Sequence, residues 1–152
     1  MFRLILCMAF SLSPSSKKTF AQSLREKGLR PTKQRACVYG VILDKRDHPT
    51  ADDIYQRVKK HLPSTSFATV YNCLETLVGC GLVRQVNMDR SPTRYCPNLS
   101  PHAHFKCTLT GQIFDVQIDK DTLSRMQALV PDGFMAENID LCFSGKGHTP
   151  HN

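Results

Sequence analysis

The chain has no window of about 18 apolar residues, the length a membrane-spanning helix needs, so no segment reads as a span. It is short of acid, with 13 Asp and Glu against 20 Lys and Arg and a formal charge of +7. That shortage favours a polyanionic partner, most often nucleic acid. It also lacks an even, regularly spaced set of cysteines. Cys7, Cys37, Cys73, Cys80, Cys96, Cys107 and Cys142 are seven, scattered along the chain. A secreted disulfide framework is therefore not expected, and a reducing cytoplasm is. With 41% hydrophobic and 22% charged residues, the 152 residues read as a globular chain of one ordinary domain or two small ones.

The charge is uneven. Residues 1–97 carry 16 basic and 7 acidic residues, whereas residues 98–152 carry 4 and 6. The basic surface thus belongs to the first part, and the second has another task.

Residues 1–16 begin with a short apolar run followed by small residues, at the short end for a signal peptide. They read better as disordered or as a misplaced start, with Met8 an alternative first residue. Lys17 to Lys27 reads as an amphipathic helix with Phe20 and Leu24 four apart, closed by Gly28. Lys33 to Asp44 is a second helix, with Cys37, Val38, Val41 and Ile42 as its stripe. Thr50 and Asp53 form a capping-box-like start to a third helix, which buries Ile54, Val58 and Leu62 and runs to about His61. A fourth spans Phe67 to Gly79, with Ala68, Val70, Leu74 and Leu77 inward and Thr69, Asn72 and Thr76 elsewhere. Leu82–Val86 and Thr93–Cys96 then read as two strands of a hairpin.

Short helices followed by a hairpin in a basic segment make a winged helix-turn-helix pattern. The fourth helix would enter the major groove and the hairpin would be the wing. The same elements also occur in proteins that bind no DNA.

The second part offers strands at Phe105–Lys106 and Gln112–Ile118, a helix from Asp119 to Val130 and a final strand through Ile139, Leu141 and Phe143. Leu123, Met126 and Leu129 share one side of that helix. About 55 such residues bury a poor core alone, and pairing with a second copy would supply what is missing. The fold class expected is α+β: an N-terminal winged-helix domain over 17–97, a small α/β dimerisation domain over 98–145, and a tail over 146–152.

The densest chemistry lies between Cys96 and Cys107. His102 and His104 are two apart, so on a strand both rings share one face. Cys96 stands six residues earlier across a loop with Pro and Ser. A thiolate and two imidazoles suit Zn2+ in a tetrahedral site. Asp115 and His48 are candidates for a fourth ligand. The plainer alternative is a surface His pair and an inert thiol, and HxH taken alone is a weak signal. Cys37, Cys73 and Cys80 lie on or near apolar stripes and read as core packing. His61, His148 and His151 read as solvent-exposed.

GLRPTKQR, HPTADDIY, SFATVYNCLETLVGCGLV and HAHFKC followed by GQIFDV closely resemble the ferric uptake regulator (Fur) family of metal-dependent repressors. The resemblance runs from about residue 17 to 145. It implies a winged helix joined to an α/β dimerisation domain, a cytoplasmic homodimer on double-stranded operator DNA, and no enzymatic activity. By resemblance, Tyr71, Thr69 and Asn72 face the groove, and Arg30, Lys33 and Arg35 reach phosphates. The family's sensing site, in the hinge between the domains, maps to His48, Cys96, His102, His104 and Asp115. Iron- and peroxide-sensing members carry Asp or Glu at the position of Cys96, whereas zinc-sensing (Zur) members carry cysteine there with histidines six and eight residues on. The resemblance therefore implies one regulatory Zn2+ per chain, zinc excess giving repression.

The chain also departs from the family. The structural zinc of most members uses two CxxC pairs. Here Cys107 is followed three residues later by Thr110, and Gly147 and Pro150 stand near the second pair. A four-cysteine site cannot form, and Cys107 reads as a buried small residue. Pro101, Ala103, Thr122 and Asn138 likewise cannot replace the donors of the second regulatory site. Other readings of the sensing site are an Fe2+ or Mn2+ peroxide sensor, in which a histidine or Cys96 is oxidised, and a haem sensor using the Cys96-Pro97 dipeptide. A zinc enzyme would need a general base, and none is recognisable.

Overall fold

Ser13 opens the first helix, its side chain accepting the Ser16 N–H at 3.2 Å. In this computed structural model residues 11–146 are described, and they form two compact units that divide after Leu99.

The first unit carries α1 (Pro14–Glu26), α2 (Lys33–Asp44), α3 (Ala51–His61), α4 (Phe67–Gly79), β1 (Arg84–Val86) and β2 (Arg94–Cys96). Each helix starts where a side chain meets an N–H that has no partner within the helix. Thr32 accepts from Arg35 at 3.2 Å and Ser66 accepts from Thr69 at 3.1 Å. Thr50 and Asp53 make the full reciprocal box, at 3.2 and 2.9 Å. The carboxylate serves where Glu or Gln is commoner. Gly28 and Gly81 both take φ near +68°, which lets the chain turn back and bond Leu29 to Leu24 and Leu82 to Leu77.

The core of this unit joins all four helices. Leu24, Val38, Ile42, Ile54, Val58, Val70, Leu74 and Leu77 are fully buried. α2 is buried more widely than its stripe implies, because Tyr39 stacks on Phe20 at 5.7 Å and Gly40 is also covered. On α4, Ala68 is exposed and Cys73 is buried in its place. Ala68 lies in the first turn, before the helix reaches its neighbours. Leu82 and Val83 pack into the core ahead of the sheet, so β1 begins two residues later than the sequence suggests. β1 and β2 pair antiparallel, with Gln85 opposite Tyr95.

One expectation needs correction at the start of the chain. Pro14 to Ser16 are helical, not disordered, since Ser13 caps and Pro14 suits the first turn. The rest of the suspected leader, residues 1–10, lies outside the described residues, as do His148 and His151.

The second unit is a sheet of order β4-β3-β5, with β3 at His102–Cys107, β4 at Ile113–Gln117 and β5 at Cys142–Gly145. β3 and β4 are antiparallel, and β3 and β5 are parallel. The crossover between β4 and β5 holds α5 (Lys120–Gln127), capped by Asp119 through the Thr122 N–H at 2.7 Å. α5 stops three residues short of Val130 and has no buried residue. β5 starts later than expected because its pairing with β3 begins at the Leu141 carbonyl, which accepts from His104 N–H at 2.9 Å. No described helix is long and apolar enough to cross a membrane.

Candidate metal centre

Three expected ligands meet within the second unit. The β3–β4 register sets His104 directly opposite Asp115, and His102 is two residues along the same face. His102 Nδ1 lies 2.7 Å from the Ser100 carbonyl oxygen. A carbonyl only accepts, so Nδ1 carries the proton and the neutral ring offers its Nε2 lone pair. That Nε2 is 3.0 Å from His104 Nε2, and the two stand 3.5 and 3.6 Å from one Asp115 oxygen. Two ring nitrogens this close need a proton or a cation between them. Donors bound tetrahedrally at 2.1 Å lie about 3.4 Å apart, so the spacing suits one ion. His102 is 6% exposed, which limits competition from water.

The first unit supplies the other two candidates. Tyr95 N–H donates to the Pro49 carbonyl at 3.0 Å, and Thr50 bridges to Arg94 in antiparallel fashion. Continuing that pairing brings His48 beside Cys96, and a ring nitrogen and the Sγ lie within 4.8 Å. Both residues are buried, Cys96 completely. His48 holds φ at +53°, a left-handed conformation that only Asp89 shares among the described non-glycine residues. Such a backbone costs on the order of 1 kcal/mol and persists only where neighbours enforce it.

Those neighbours were not singled out from the sequence. Arg57 Nη1 and Nη2 donate to the Asp47 carboxylate at 3.0 and 2.8 Å, and Lys45 approaches it at 3.2 Å. Burial would raise the Asp47 pKa, but these cations hold it below the usual carboxylate value. Arg94 Nη1 donates to the His48 carbonyl at 3.0 Å. The only sequence signal for Arg94 was its place two residues before Cys96.

Cys107 is buried, as a packing residue should be, and Thr110 Oγ1 is engaged in accepting the Gln112 N–H at 3.2 Å. Burial pushes the Cys37 and Cys73 thiols up from their ordinary value, which keeps them in the unreactive form. Cys96, the cysteine of the Cys96-Pro97 dipeptide, is completely buried.

The residues expected to meet DNA fall into two groups. Tyr71 is 47% exposed on α4, with Asn72 beside it exposed and Thr69 half-buried. Tyr71 and Glu75 lie close enough to the buried Tyr95 hydroxyl to help burial raise its pKa. Arg30 and Lys33 are exposed at the entry to α2. Arg35 is partly committed elsewhere, its Nη1 donating to the Arg30 carbonyl at 2.8 Å. Between α2 and α4 a polar cleft of about 240 Å³ is lined by Thr32, Gln34, Arg35, Thr69, Asn72, Cys73 and Thr76. Gln34 is the addition here, a polar residue that sequence reasoning passed over.

The profile of the Ferric uptake regulator family matches residues 26–144. A "Peroxide-responsive repressor PerR" of Staphylococcus aureus is 37% identical over 95 residues, 62% of this chain and 64% of that protein's length. The structure of the Campylobacter jejuni peroxide stress regulator is similar with 32% identity and a TM-score of 0.69, covering 86% of this chain and 97% of that one. The Helicobacter pylori ferric uptake regulator Fur has the same fold at 20% identity, with a TM-score of 0.71 and coverage of 91% and 94%. These likenesses support the family but not its zinc-sensing branch, because neither sequence relative is named a zinc sensor.

Proposed function

We propose, from the premise that this chain belongs to the ferric uptake regulator family, that it is a metal-responsive repressor of transcription. In this reading, as the family resemblance implies, His48 and Cys96 of the first unit and His102, His104 and Asp115 of the second are the candidate ligands of one ion. The observation that carries it is the pair of imidazole nitrogens 3.0 Å apart facing one carboxylate oxygen. The donor set of thiolate, imidazoles and carboxylate fits Zn2+ best, since thiolate draws preference away from Fe2+ and Mn2+. The bound ion supplies a cross-link between the units.

The rest is done by the chain. With donors on both units tied to one point, their relative angle is restricted, and one arrangement of the homodimer is favoured. In that arrangement the two α4 helices match successive major grooves of operator DNA. Metal and operator then strengthen each other's binding by the same factor. Tyr71, Thr69 and Asn72 read base edges, while Arg30, Lys33 and the part of Arg35 not bonded to the loop hold phosphates. No catalytic role is assigned.

A second reading is favoured by the names of the relatives. As a peroxide sensor, the same residues hold Fe2+ or Mn2+, and peroxide oxidises Cys96 or a histidine, releasing the operator. One titration separates the two. Operator binding by the metal-free chain is followed by fluorescence anisotropy with Zn2+, Mn2+ or Fe2+, before and after peroxide. Zinc sensing requires tight binding with Zn2+ and a loss of at least tenfold in zinc affinity on Cys96→Ser. Binding restored by Fe2+ alone, abolished by peroxide with oxygen added to a ligand residue, gives the second reading. Equal operator binding with and without every metal rejects both.

A further inference from the structure

His48 and Cys96 lie 48 positions apart in sequence, yet both depend on one strand. Cys96 ends β2, and Arg94, two residues earlier, donates from Nη1 to the His48 carbonyl at 3.0 Å. The adjoining links run the same way: Tyr95 N–H bonds the Pro49 carbonyl at 3.0 Å, and Thr50 bridges Arg94. The Arg94 cation also lies near enough to the Asp53 carboxylate to help lower its pKa, after the larger effect of the Thr50 N–H. Arg94 therefore stands between the turn that presents His48 and the capped start of α3.

The turn itself is in a conformation that a histidine does not choose. φ of +53° is unfavourable for a residue with a Cβ. On one side the Asp47–Arg57 pair anchors it, at 3.0 and 2.8 Å. On the other the Arg94 guanidinium fixes the His48 carbonyl. Remove that second anchor and the His48 carbonyl loses its side-chain tie to β2, which loosens the hold on the ring's position beside Cys96 while Cys96 stays in its strand.

We infer that Arg94 is a positioning residue for the metal: it locks the left-handed His48 turn onto the wing strand, so that wing and metal affinity are coupled through one guanidinium. It touches neither the ion nor DNA in this role. The inference rests on the reading of His48 and Cys96 as ligands.

The test is a double-mutant cycle on the full chain with Co2+ as the probe metal. Affinity is measured by competition with a chelator, and thermal unfolding of the metal-free protein is followed alongside. Arg94→Met is expected to weaken Co2+ binding about tenfold, the usual effect of removing a partner behind a ligand. The thiolate-to-cobalt band of Cys96 should survive at saturation, while the ligand-field bands shift as they do in His48→Ala. Arg94→Lys, which keeps a cationic donor, should recover part of the loss. In the His48→Ala background Arg94→Met should have no further effect. If the methionine variant does not fold, the lysine variant carries the same cycle. An unchanged Co2+ affinity, or an equal loss in the His48→Ala background, overturns the inference. If His48→Ala itself leaves Co2+ affinity unchanged, the ligand reading fails and this inference with it; if only Arg94→Met is silent, the ligand reading stands.

Discussion

The two units solve the problem of stability differently. The first closes a core of its own from four helices, with Leu24, Ile42, Ile54, Leu74 and Leu77 fully covered. The second fully buries no residue of α5 and leaves Leu129, Phe134 and Met135 at 83, 76 and 88% exposure, with Phe114 and Phe143 about half exposed. Phe114, Phe105 and Phe143 form one row across its three strands. A contiguous apolar patch of this kind marks an interaction surface. The contrast teaches that the basic unit is organised from within, whereas the acidic unit needs something to cover it. A second copy, as the family implies, is the simplest cover.

That contrast breaks most visibly in the core. Leu74→Ala should cost the first unit about 2–5 kcal/mol, read from chemical denaturation, because it opens a cavity among fixed neighbours. Leu129→Ala in the second should cost far less in the monomer, within about 0.5 kcal/mol, as expected of an exposed site. Equal losses would show that the two units share one mode of stabilisation.

Phe114→Glu sharpens the comparison from the other side. A carboxylate in the aromatic row should shift the protein from dimer to monomer in sedimentation, while the helical signal of the first unit stays unchanged. A dimer that survives this substitution places the subunit contact elsewhere.

The smallest effect concerns the Thr50–Asp53 box. The Thr50 N–H, foremost, holds the Asp53 carboxyl below the ordinary carboxylate value, against a smaller opposing effect of burial. A depressed carboxylate contributes stability above its unfolded pKa and loses it as pH falls through the folded value. Melting temperature should thus fall below about pH 3.8 in part through Asp53, and Asp53→Asn should flatten that limb. Thr50→Ala should cost about 1 kcal/mol at neutral pH, the usual value for a lost cap. Asp119 of the second unit is also depressed, by the Thr122 N–H, but its carboxyl is fully exposed and caps a helix in which no residue is fully buried. A matching change on Asp119→Asn would remove the distinction.

Much of this was legible in the sequence because it is local. Caps, glycine stops and the 3.6-residue stripe located α2, α3 and α4, and the HxH spacing picked His102 and His104 as a pair on one face. The charge division between the two parts needed only counting. Ala68 and the ends of α5 and β5 were misjudged for a shared reason: each depends on whether a neighbour happens to be near, and no spacing reports that. His48 could be named as a ligand candidate but not placed. Its left-handed turn, the Asp47–Arg57 clamp and the Arg94 bond from 46 residues away arise only when β2 lies against the segment before α3. Likewise the strand register, and not the residue types, sets His104 against Asp115. Local free energies choose helices and turns residue by residue; donors distant in the chain meet only after long-range packing has fixed their backbones, and that decision belongs to the tertiary structure.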